Sequence, residues 1–76
     1  LRLAPHSPAA SSLMALYWRS RGAPEKALVY FYRAAQAEAE NPVWEMEIGA
    51  TLAHMGRISE AARHYRRAIR LGGGSP

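Results

Sequence analysis

Shifting the chain by 34 residues lays it on a second copy of itself. Pro42 falls on Pro8, Gly49 on Ala15, Leu52 on Trp18 and Gly56 on Gly22. Later in the period Ala61 falls on Ala27, Tyr65 on Phe31 and Ala68 on Ala34. Each match is an identity or keeps size class at a position a helix pair would use for packing or turning. A fixed period of this length admits few architectures. Each copy is one supersecondary unit that cannot bury its apolar face alone, so copies must stack.

Composition agrees. Seventy-six residues allow one small domain. A chain of that size hides only about 60% of its unfolded surface, so it has little stability in reserve. With no Cys, it has neither a disulfide nor a thiolate metal site. Ala supplies about a fifth of the residues and β-branched runs are nearly absent, which favours helix throughout. No apolar stretch approaches the roughly 20 residues that span a bilayer, so no membrane partner is expected.

Taken in order, residues 1–7 read as the tail of a preceding copy, with Leu3 as its last apolar contact. Ser7-Pro8 then caps and starts a helix over residues 8–21, stopped by Gly22. Its Leu13, Met14, Leu16, Tyr17 and Trp18 cover more than one stripe and should meet neighbours on two sides. A second helix over residues 24–38 opens on Pro24 and Glu25 and aligns Ala27, Phe31, Ala34 and Glu38 on one stripe. Asn41-Pro42 repeats the cap-and-proline start for a helix over residues 42–55, with Met46, Ile48, Gly49, Leu52 and Met55 facing other helices. An interior Gly49 costs about 0.5–1 kcal/mol against Ala, which points to close backbone approach there. Gly56 ends that helix. Ser59 is expected to cap the fourth, which runs to residue 71 with Ala61, Tyr65, Ala68 and Ile69 inward. Thus residues 1–76 form one domain, with repeats at 8–41 and 42–75, and Pro76 stands where another would begin.

These residues resemble the tetratricopeptide repeat, a 34-residue helix–turn–helix unit. Ile48-Gly49, Leu52, Gly56, Ala61, Tyr65 and Ala68 follow its pattern in order and spacing, as do Met14-Ala15, Trp18, Gly22, Ala27, Phe31 and Ala34. Pro5 occupies the closing-proline slot of the preceding copy. The slot for an early aromatic holds Ser11 and Glu45, the closing-proline slot holds Ala39 and Gly73, and Pro24 replaces an apolar residue after the turn. The resemblance implies a right-handed α–α superhelix that presents the first helix of each repeat on a concave wall. It implies a scaffold binding a peptide or helix of a partner protein, with no cofactor. The groove residues it implies are Ser12, Leu16, Arg19 and Ser20, then Met46, Glu47, Ala50, Ala53 and His54, with Ala9, Leu13 and Val43 beside them. Helical spacing agrees: 12, 16 and 19, like 46, 50 and 53, lie on a face that packing does not use. Ser12, Leu16, Val43 and Glu47 stand where some relatives carry Lys and Asn to grip a C-terminal carboxylate, which argues against that ligand.

Other chemistries find less support. Arg57, Arg63, Arg66, Arg67 and Arg70 crowd the last helix, with Glu60 as local balance. A phosphate-binding face for nucleic acid or lipid is one reading; a solvated face suited to the helix dipole is favoured over it. His6 lies in a loop, and His54 and His64 sit on different helices with no carboxylate three or four residues after them, so no metal site is expected. Glu45 and Glu47 point away from each other. Ser20 with His54 lacks a third orienting group, so no catalytic residues are expected. A second functional reading is self-association, in which apolar end faces of the stack meet those of another copy as a homo-oligomer.

Overall fold

The computed structural model describes residues 7–73. The sequence readings on Leu3, Pro5, His6 and Pro76 lie outside the described residues. Four α-helices follow in order: α1 Pro8–Ser20, α2 Pro24–Ala37, α3 Pro42–His54 and α4 Ile58–Ala68. A wide π-helical turn, Ile69–Gly73, extends α4, and Gly72 at φ +110° breaks the helical path within it. No strand occurs among the described residues, and the fold is all-α. α1 packs on α2, α3 on α4, and α2 joins the two hairpins by lying against α3.

The period governs local geometry as well as sequence. α1 and α3 are both 13 residues long and begin 34 apart. Ser7 Oγ accepts from the Ala10 amide at 3.1 Å, and Asn41 Oδ1 accepts from the Val43 amide at 3.0 Å. Each cap satisfies an amide the helix leaves free, and Pro8 and Pro42 remove another. Both helices close in the same way. Gly22 (φ +77°) donates to the Arg19 carbonyl at 3.1 Å and Ala23 to the Trp18 carbonyl at 2.9 Å. Gly56 (φ +84°) donates to the Ala53 carbonyl at 3.0 Å and Arg57 to the Leu52 carbonyl at 2.9 Å. These are paired Schellman closures, which need a left-handed residue at the glycine.

The closure also corrects one expectation. Arg57, not Ser59, is the residue before α4, and it makes no side-chain cap bond. Because the Schellman bond fixes residue 57 directly after the glycine, the next helix starts at 58, as it does at 24 in the first repeat.

A single core runs through both hairpins: Ala15, Ala27, Leu28, Phe31, Ile48, Leu52 and Ala61. Small Ala15 and Ala27 let α1 and α2 approach, and Phe31 fills the space toward α3. Gly49 plays the corresponding part between α3 and α4, since a Cβ there would sit 3.1 Å from the Tyr65 ring.

Exposure departs from expectation at both ends of the stack. Leu13, Met14, Leu16 and Tyr17 are all exposed, and of the five apolar α1 residues expected to pack only Trp18 is half-buried. Met46 and Ile69 are exposed, and Tyr65 keeps one side against Gly49 with 38% of its surface open. The reason is visible by comparing repeats. Met14 and Tyr17 are 40% and 48% exposed, whereas their counterparts Ile48 and Thr51 are buried in the helix that packs on α2. Phe31 is 1% exposed against 38% for Tyr65. Those positions bury where a neighbouring repeat lies against them, whereas Leu16 is exposed as its counterpart Ala50 is, in keeping with a place on the expected groove. Glu38 likewise leaves the α2 stripe and turns to the loop, where it accepts from Trp44 Nε1 at 2.7 Å and Asn41 Nδ2 at 3.1 Å.

Candidate functional site

Two surfaces hold the candidate side chains. The first is the wall formed by α1 and α3. Arg19 Nη1 donates to Glu47 Oε1 at 2.9 Å and to Thr51 Oγ1 at 3.3 Å, tying the first helix of one repeat to that of the next. Its guanidinium also lies 5.2 Å from the Phe31 ring centroid, so it covers the edge of the core. Thr51 in turn donates to the Glu47 carbonyl at 2.8 Å. Two of the expected groove residues thus meet each other. Each side chain is about a third exposed, so a ligand bearing charge would compete with an existing partner on either side.

The remaining groove positions behave differently. Leu16, Ser20, Ala50 and His54 are exposed, Ser12 and Ala53 half-buried. Ser12 Oγ donates to the Ala9 carbonyl and Ser20 Oγ to the Tyr17 carbonyl, so both hydroxyl protons are spent on their own helix. Met46 is not grouped with Arg19. It lines a small apolar cavity of about 110 Å³ with Tyr65, Ala68 and Ile69, at the end of the stack.

The arginines of the second surface were legible in the sequence, but the Glu45–His64–Tyr32 line beside them was not. Glu45, buried on α3, accepts from His64 Nδ1 of α4 at 2.7 Å, and Arg67 Nε lies 3.6 Å from its other oxygen. His64 Nε2 meets the Tyr32 hydroxyl of α2 at 3.3 Å. His64 therefore takes its carboxylate from another helix and not from Glu60 four residues earlier on its own, which pairs with Arg57. A signal did exist. Glu45 fills the slot where the tetratricopeptide pattern has an early aromatic, its counterpart Ser11 is buried too, and a buried carboxylate demands donors from the facing helix. His64 and Arg67, three apart on α4, supply them.

An acid, an imidazole and a hydroxyl in line resemble a nucleophile relay, but the electrostatics oppose that use. Burial, with the Glu60 carboxylate second, pushes the Tyr32 phenol above its ordinary value. An activated nucleophile needs the opposite shift. Tyr32 stays a neutral hydroxyl that donates or accepts. Among the described residues no three His, Asp or Glu side chains converge as a metal site would require, and no helix is long and apolar enough to cross a membrane.

Around this relay lies an open cleft of about 510 Å³, lined by Tyr32, Glu60, Arg63, His64, Arg66, Arg67 and Arg70. Glu60 is held from outside it by Arg57, whose Nε and Nη2 each donate at 2.8 Å. Comparison of the chain with family models, curated proteins and solved structures returned no match.

Proposed function

We propose that the chain is a tetratricopeptide-like interaction module whose α1–α3 wall binds a segment of a partner protein. The observation that carries this reading is the exposure of Leu16 on a helix whose opposite side supplies Ala15 and Trp18 to the core. An apolar side chain on open ground, beside the Arg19–Glu47 pair, suits an amphipathic helix or extended peptide with one polar contact. Selection from a displayed peptide library, followed by Leu16→Glu, tests it. Binding should fall with the helical content intact. Ligands that bind Leu16→Glu as well as the parent chain, or a library that yields none, would remove the groove from consideration.

Self-association is a second reading, supported by the end faces. Met14 and Tyr17 at one end, and Tyr65 and Ile69 at the other, occupy positions that the internal α2–α3 contact buries or half-buries. A head-to-tail copy would repeat that contact, and such heterologous stacking stays open-ended. Sedimentation should then show mass rising with concentration, and Tyr17→Lys should abolish the rise. A constant monomer mass would reject it.

A further inference from the structure

We propose that the cleft beside α4 is a binding site for a compact polyphosphate anion, a small ligand carrying several adjacent phosphate groups. The site shares no residue with the α1–α3 wall and does not depend on it.

Charge is the first argument. Four arginines against Glu60 put +3 on the cleft lining, out of a net +4 for the whole chain. The excess is therefore local and not spread over the surface. Among the described residues, Arg63, Arg66 and Arg70 have no ion-pair partner, while Arg67 is only loosely engaged at 3.6 Å. Glu60 is already matched by Arg57 and does not neutralise the lining. The negative end of α4 accounts for cations in its last turn, such as Arg66 and Arg67. It does not account for Arg63 farther back, nor for the convergence of those cations with groups from another helix.

Geometry is the second. His64 is fixed by Glu45 on one nitrogen and Tyr32 on the other, so a ring and a phenol from separate helices are held at the cleft wall. Guanidinium groups give the directional, charge-assisted donors that phosphate oxygens accept best. With about 1.5 Å of rise per residue, Arg63 to Arg70 span roughly 10 Å. That covers two or three linked phosphates, whereas the molecule is 37 Å long. A nucleic-acid strand would need cations carried well beyond this cleft, along with open aromatic faces for its bases.

The test is titration of the 76-residue chain with inorganic tripolyphosphate at low salt, by calorimetry and by amide chemical shifts. Shifts should concentrate on residues 63–70 and on Tyr32. Arg63→Gln with Arg70→Gln, both exposed positions, should weaken binding by about tenfold or more through loss of two charge-assisted donors. Arg21→Gln with Arg33→Gln removes the same charge elsewhere and should change binding by less than about threefold. Equal losses in the two double variants would overturn the site, leaving only diffuse attraction. So would absent binding, or shifts scattered over α1 and α3, which need no variant to read. Single-stranded oligonucleotides that bind more tightly than tripolyphosphate, or capture by phosphoinositide vesicles without tripolyphosphate binding, would also overturn it by replacing the small ligand with a polymer or a membrane.

Discussion

At the scale of single residues, Gly49 sets how near α3 lies to α4. A Cβ at that position would meet three Tyr65 ring atoms at 3.1–3.2 Å. Gly49→Leu should therefore destabilise the chain by about 1–3 kcal/mol, as overpacked cores do. In a Tyr65→Ala background most of that cost should vanish, because the obstructing ring is gone. Denaturant unfolding of the four chains reads the coupling; a Gly49→Leu penalty that ignores Tyr65 would refute the contact. Glu45 gives a second case. His64→Leu strips a buried carboxylate of its shortest donor and should cost about 1–3 kcal/mol. Adding Glu45→Leu should recover much of that loss, since a buried ion pair is often replaceable by packed apolar side chains. Glu38 brings pH into the loop. Hydrogen bonds from Trp44 and then Asn41 hold its carboxyl below its ordinary value of 4.5. A depressed carboxyl contributes stability above its unfolded value and loses it as pH falls through the lower folded one. Trp44 fluorescence, read in a Trp18→Phe chain, should therefore change in acid below the usual carboxylate range, and Glu38→Ala should remove that step.

At the scale of elements, the turns explain why the hairpins were legible from residue types alone. Ser7-Pro8, Asn41-Pro42, Gly22 and Gly56 act on neighbours a few positions away, and the structure puts helix ends within a residue or so of each. Gly56→Val should destabilise the chain by about 1–2 kcal/mol, because a β-branched residue resists the left-handed region. Nothing lies within 4 Å of the Cβ it would gain, so the cost is backbone strain alone. Gly56→Asn should cost less, as Asn tolerates that conformation. Equal thermal melting of the two variants would contradict the Schellman closure. The Glu45–His64–Tyr32 line was not legible in the same way. Its members lie on three helices, and only the facing of those helices brings them within 3.3 Å.

At the scale of the whole molecule, the helix order is compact, 37 × 26 × 17 Å, yet apolar surface remains at both ends. Apolar spacing along α1 reports that Met14 and Tyr17 suit a neighbour; it cannot report whether one is there. For the same reason the spacing of Leu16 and Ala50 marked a face free of packing, while the Arg19–Glu47 bond across it depended on how far apart the two repeats sit. The claim on which all of this rests is that equivalent positions in each 34-residue copy form equivalent contacts. It is tested most directly by inserting a second copy of residues 8–41 after Asn41 and measuring denaturant unfolding. The inserted Met14 and Tyr17 equivalents would then lie against α2, as Ile48 and Thr51 do now. Stacked repeats gain stability from each added interface, so the midpoint should rise with a single cooperative transition. An unchanged or lower midpoint, with the insert unfolding separately, would contradict it.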